Sequence, residues 1–193
     1  MSTSQPSRRA QSRGFTLVEL LLVVTITSLM VAIAASRFRI SEFTEAQLAG
    51  LQLVQDIDYA RTRALATRSL ARVKFENTVA PAYTGFLDTD ADSAIAETAA
   101  ETLNMRGVGR RQLPSSILFG RGSIPAIPDD PSSSAITFAS NRIEFNSRGI
   151  VQPMGTSGVV YLRHASKAQV VVAVQVSAAG NVRLWTYREG HWK

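Results

Sequence analysis

From Phe15 to Ser36 the chain runs FTLVELLLVVTITSLMVAIAAS, 22 residues with a single charge, Glu19. As a helix at ~1.5 Å per residue this run covers roughly 33 Å, against a hydrocarbon core of ~30 Å, so it predicts a membrane-spanning segment at 15–36. Everything that follows must then hang from one end of an anchor. Arg8, Arg9 and Arg13 precede the run with no acidic residue among them. The bias of cytoplasmic flanks toward Lys and Arg therefore places the N-terminus inside and the remainder outside. The competing reading is a secretory signal peptide with Ala32-Ile33-Ala34 as an A-x-A site before Ala35. An acidic residue inside the run, and a run longer than an h-region, count against it.

A carboxylate in a membrane helix costs ~2.5 to 3.5 kcal/mol even on lenient scales, so Glu19 needs a partner or a function. A cut between Gly14 and Phe15 would create one: an α-amino group four residues before Glu19, one helical turn away. That amine can answer Glu19 of the same chain or of a neighbour. The residues Gly14, Phe15, Thr16, Leu17, Val18 and Glu19 resemble the prepilin signal of type IV pilins and type II secretion pseudopilins. The resemblance implies that a prepilin peptidase cuts after Gly14 and N-methylates Phe15, with the apolar run staying on the mature protein. It also implies a single-pass protein of the bacterial inner membrane, cytoplasmic at its N-terminus, with a periplasmic globular domain.

Composition narrows the remainder. With no cysteine, neither a disulfide framework nor a thiolate metal site can exist. The formal charge of +6 is half topogenic, because three of the 21 basic residues lie before Phe15 while all 15 acidic ones lie after it. Within the mature chain, residues 81–130 are net acidic and residues 142–193 carry seven basic against two acidic side chains.

Residues 1–14 read as a leader, and the helix is expected to continue past Ser36 as an amphipathic segment, 37–71, since neither Pro nor Gly interrupts Arg37 to Ala49. Phe43, Ala46, Gly50, Leu53, Ile57, Ala60 and Ala64 form one stripe at spacings of three and four, with Gln52, Gln55, Asp56, Tyr59 and Arg63 opposite. The shallow seam of alanines argues against a coiled coil. The segment Tyr59 to Ala66, YARTRALA, followed by Arg72 to Phe75, is similar to the GspH and FimT branch of pseudopilins and minor pilins. Phe145 and Gly149, followed by a Val-rich strand, a Gly turn and a last strand, resemble the end of that domain. Period-two alternation predicts strands at 72–76, 83–87, 135–139, 142–146, 158–164, 168–177 and 182–188, with Val170, Val172, Val174 and Val176 on a core face. Ser123 to Ser134, SIPAIPDDPSSS, reads as a surface loop outside the core. The fold expected is α+β: a long N-terminal helix, its first half transmembrane and its second half amphipathic, packed on an antiparallel β-sheet domain over 72–193.

Chemistry is sparse. Asp88, Asp90 and Asp92 open like a calcium loop, but Ala99 stands where a bidentate Glu belongs and Ser93 replaces the turn glycine, so a solvated acidic loop is expected. His164, within a strand, and His191, in the tail, neighbour no Ser, Asp or Glu pattern of a nucleophilic motif. No phosphate loop or zinc spacing is present, so neither an enzyme nor a cofactor is expected. Arg183, Arg188 and Lys193, beside Trp185, Tyr187 and Trp192, suit a phosphate backbone or stacked bases, but the mature charge of +3 favours a scaffold over a DNA binder. The resemblance implies a minor pseudopilin of a type II secretion system, a structural subunit partnering other pilins. The alternative is a FimT-like minor pilin of a type IV pilus, with DNA as a partner.

Overall fold

The computed structural model describes residues 15–37, 41–128, 130, 132 and 134–193, and the leader, Gly14 included, lies outside them. The chain divides into two compact units, Met1–Ile40 and Ser41–Lys193.

In the first unit α1 spans Leu17–Arg37. Thr16 precedes it, accepting at its Oγ1 the Glu19 N–H at 3.2 Å and at its carbonyl the Leu20 N–H at 3.1 Å. This is N-cap geometry, with Glu19 in the first turn. The apolar side chains from Leu17 to Ile33 are exposed all round the helix, Leu17 at 80% and Ile33 at 56%. Among the described residues no helix is long and apolar enough to cross a membrane. The side chains of α1 are described over the 17 residues to Ile33, about 26 Å of helix.

In the second unit α2 spans Glu42–Thr67. The single helix expected through 37–71 is instead interrupted. Ser41 is extended (φ −68°, ψ 147°) and its Oγ accepts the Thr44 N–H at 3.2 Å, while Glu42 and Glu45 complement the positive end of the helix. Arg68, at φ 55°, ends it in the left-handed region. Among the described residues ten strands follow: β1 Ala71–Glu76, β2 Ala82–Leu87, β3 Arg110–Gln112, β4 Ile117–Phe119, β5 Arg142–Phe145, β6 Val151–Gln152, β7 Gly158–His164, β8 Val171–Val176, β9 Val182–Arg188 and β10 His191–Trp192. They form two antiparallel sheets, ordered β3-β2-β1-β5-β6 and β10-β9-β8-β7-β4. The expected strand at 135–139 is reduced to one bridge, Ile136 to Val160.

Helix α2 packs on both sheets. Its stripe from Ala46 to Ala64 joins Val73 and Phe75 of β1 and Val172, Val174 and Val176 of β8 in one core. Small residues let it sit close: a Cβ on Gly50 would lie 2.7 Å from Leu184 Cδ1 and 3.1 Å from Val172 Cγ2. Asp56, expected on the opposite face, is fully buried.

From Val171 to Val174 strand β8 is apolar on both faces. Val171 and Ala173 turn away from α2 and pack with Val159, Tyr161, Ile124 and Ile127 in a second cluster, edged by Trp185, Tyr187 and Trp192. The 123–134 segment is therefore no mere surface loop. Its two isoleucines roof the outer face of the second sheet, pinned where Ile127 N–H donates to Tyr161 Oη at 3.1 Å and Tyr161 Oη donates to Asp130 at 2.5 Å.

The outer face of the first sheet is charged instead. Arg72, 8% exposed, pairs with Glu144 at 2.7 Å and Glu97 at 2.9 Å, and donates to the Ile95 carbonyl at 3.2 Å. Lys74 also reaches Glu97 at 2.5 Å, so the 88–101 segment is held on this face.

Candidate functional site

The N-terminal signal residues fall at the very start of α1. Phe15 is 79% exposed and Glu19 is exposed one turn into the helix. Thr16, named above only as part of the signal, also caps the helix. T-x-x-E is a capping-box spacing, and the half of the box observed is the Glu19 N–H donating to Thr16 Oγ1.

The basic C-terminal set does not make one patch. Residues 183 and 188 differ by an odd number along β9 and so project from opposite faces. The Arg183 guanidinium lies 3.8 Å from the Trp185 ring on the outer face, and that of Arg188 lies 3.7 Å from the Phe43 ring of α2. Lys193 pairs with Glu189 at 2.7 Å. Each of the three already has an intramolecular partner. The loop after β8 closes on the Val176–Val182 pair, which sets Trp185 opposite Ala173. Trp185 and Tyr187 are half-buried at the edge of the second cluster. His191 and Trp192 pair with β9 as β10, and Trp192 Nε1 donates to the Pro125 carbonyl at 3.0 Å.

His164 has neighbours that no sequence motif disclosed. Its Nε2 lies 3.3 Å from Glu45 and its Nδ1 lies 2.9 Å from Ser166 Oγ. Glu45 also accepts from Ser116 at 2.5 Å, so the ring joins the first turn of α2 to the ends of β7 and β4. His164 is 6% exposed and braces the helix on the sheet.

Arg61, inside the YARTRALA segment, has a definite task. Its Nε donates to the Gly149 carbonyl at 3.0 Å and its Nη2 to the Ala179 carbonyl at 3.2 Å. The C-terminal half of α2 is thereby clamped to the turns after β5 and β8.

Of the three aspartates expected to open a loop, Asp88 and Asp90 come together with Glu101, whereas Asp92 does not. Asp92 accepts the Ala94 N–H at 2.8 Å, an Asx turn. The loop is solvated over 89–94, Asp90 and Asp92 included, as expected, but the two carboxylates at its base are not, Asp88 being 4% and Glu101 5% exposed. Glu101 carried no signal in the sequence, since its place is fixed by a bridge from Thr102 to Phe86.

Residues 9–35 match the prokaryotic N-terminal methylation motif. No curated protein matches the chain significantly in sequence. Among solved structures, the type IV minor pilin FimU of Pseudomonas aeruginosa superposes with a TM-score of 0.50 at 14% identity, over 77% of this chain and 92% of that one. The minor pseudopilin EpsH of the type 2 secretion system of Vibrio cholerae gives a TM-score of 0.48 at 13% identity, over 74% and 97%. The chain thus joins a prokaryotic N-terminal methylation motif to the fold of a type IV minor pilin, and in that sense is type IV pilin-like.

Proposed function

We propose that this chain is a structural subunit of a pilin-type filament, made as a prepilin, cut after Gly14, methylated on Phe15 and anchored in the inner membrane by residues 15–36. The observation that carries the reading is α1 itself: a helix with Leu17 to Ile33 exposed on every side and one carboxylate in its first turn. Apolar surface of that extent demands a cover of lipid or of other apolar helices. The leader arginines set the cytoplasmic side, and the β domain faces the periplasm. In a filament the α1 helices of several chains pack together, and Glu19 selects their register by meeting the Phe15 amine of a neighbour in low dielectric.

Glu19→Gln separates this role from capping. Glutamine serves a T-x-x-E/Q capping box as glutamate does, so the variant keeps the helix start and loses only the charge. Membrane insertion is expected to be unchanged and recovery in sheared filament fractions to be abolished. Incorporation equal to the parent would remove the pairing role. Deleting the gene assigns the machine: loss of protein export identifies type II secretion, and loss of surface pili identifies a type IV pilus.

A further inference from the structure

After β2 the chain leaves the first sheet at Asp88 and returns at Glu101. Main-chain bonds close the base of this excursion: the Leu87 N–H donates to the Glu101 carbonyl at 2.8 Å and the Leu103 N–H to the Gly85 carbonyl at 2.9 Å. That closure brings two carboxylates distant in sequence side by side, with Asp90 beside them. One oxygen from each of Asp88, Asp90 and Glu101 lies within 4.8 Å of the other two. Like charges so close, two of them on buried residues, repel strongly unless a cation intervenes. Among the described residues the ion pairs of Arg72, Lys74, Arg110, Arg111, His164, Lys167 and Lys193 all go to other carboxylates.

A second observation is independent of that clustering. Asp88 is 4% exposed, and its Oδ1 is buried with no hydrogen-bond partner. Its Oδ2 accepts the Ser93 N–H at 3.2 Å, and Glu101 Oε2 accepts the Ala96 N–H at 2.5 Å. The loop thus anchors each buried carboxylate by one oxygen. A carboxylate oxygen left bare in the interior carries its full desolvation cost.

We propose that Asp88, Asp90 and Glu101 form a calcium site that locks the 88–101 excursion onto the first sheet. The donor set is oxygen alone, which suits a hard cation and disfavours zinc or copper. Calcium accepts six to eight oxygens in irregular geometry, whereas magnesium demands a near-ideal octahedron and keeps its water. Three carboxylates of mixed burial on a flexible-length loop fit the former, with water and main-chain oxygens completing the shell. The site differs from the Asp88-Asp90-Asp92 calcium-loop opening, against which the sequence argues, because its third carboxylate is Glu101. Its consequence reaches further than the loop, since the same excursion delivers Glu97 and the Ile95 carbonyl to Arg72.

The test is calorimetric titration of calcium chloride into the full chain in detergent, after removal of divalent ions with a chelator. One saturable event per chain is expected, in the 10⁻⁴ to 10⁻³ M range roughly typical of extracellular calcium modules. The unfolding midpoint should rise with calcium, and magnesium should bind at least about tenfold more weakly. Glu101→Gln and Asp88→Asn should abolish the heat. Asp90→Asn covers the case in which the buried variants do not fold: Asp90 is exposed and its charge repels the other two, so the chelated variant should be at least as stable as the chelated parent while calcium affinity falls about tenfold or more. Asp92→Asn should bind as the parent does. Absence of saturable heat up to about 10 mM calcium, parental affinity in Asp90→Asn, or weakening by Asp92→Asn would each overturn the proposal.

Discussion

The Asp56 carboxylate, fully buried on α2, accepts a hydrogen bond from the Tyr83 hydroxyl at 2.7 Å. Arg111 Nε donates to the same oxygen at 2.6 Å and Gln52 Nε2 to the other at 3.2 Å, so one side chain ties the helix to β2 and β3. Burial, with the adjacent Asp56 charge, pushes the Tyr83 hydroxyl well above its ordinary pKa and keeps it a donor. Asp56→Ala removes the common acceptor and strands a guanidinium and a phenol. A loss of about 3 kcal/mol is expected, read as a drop in unfolding midpoint of roughly 6–12 °C by circular dichroism. A change under about 1 °C would show that Arg111 and Tyr83 find water instead.

Arg61 closes two turns at once, and Gly180 is what lets it do so. Gly180 sits at φ +82°, and a Cβ there would lie 2.3 Å from the Gly149 carbonyl oxygen and 2.8 Å from Arg61 Nε. Arg61→Ala should cost about 1.5–3 kcal/mol, the range for hydrogen bonds from a charged donor. Gly180→Ala should cost at least as much, because it adds backbone strain to loss of the clamp. Denaturant midpoints of the two variants and of the double variant check this. Additive losses in the double variant would contradict a shared clamp.

The charged face of the first sheet makes stability fall in acid. Hydrogen bonds from Lys74 and Arg72 hold the Glu97 carboxyl below its ordinary value, and Arg110 does the same for Glu76. A carboxyl with a depressed folded pKa adds stability above its unfolded pKa, about 4.3, and loses it as pH falls through the folded value. The unfolding midpoint should therefore be flat from neutral pH to about 5 and decline below about 4.3. Glu97→Gln should show a lower plateau and a shallower decline. An unchanged acid limb in that variant would remove Glu97 from the account.

Much of this was legible from spacing alone. The α2 stripe emerged because Ala46, Gly50, Leu53, Ile57, Ala60 and Ala64 recur at helical intervals, and all six are buried. The spans 158–164 and 182–188 match β7 and β9 because their glycine and turn boundaries are local. Asp56 escaped because its burial depends on Tyr83 and Arg111, which arrive from distant strands. The 123–134 loop misled because its proline and serine content speaks for surface. What decides its place is the apolar outer face of β8, which Ile124 and Ile127 cover. Glu101 had no local signal, since only the strand-like return beside Leu87 sets it against Asp88. The break before α2 was signalled by Ser41, a good N-cap residue whose weight was lost beside the unbroken run of helix-compatible residues.

The proposed filament role rests on a processed, methylated N-terminus two residues before α1. Intact mass and N-terminal peptide analysis of the chain recovered from bacterial membranes tests it most directly. The mature protein is expected to start at Phe15 with one methyl group on its α-amine, and a Gly14→Glu variant to retain the leader. A mature start at Ala35, or a chain that keeps residues 1–14 in the presence of active prepilin peptidase, would contradict it.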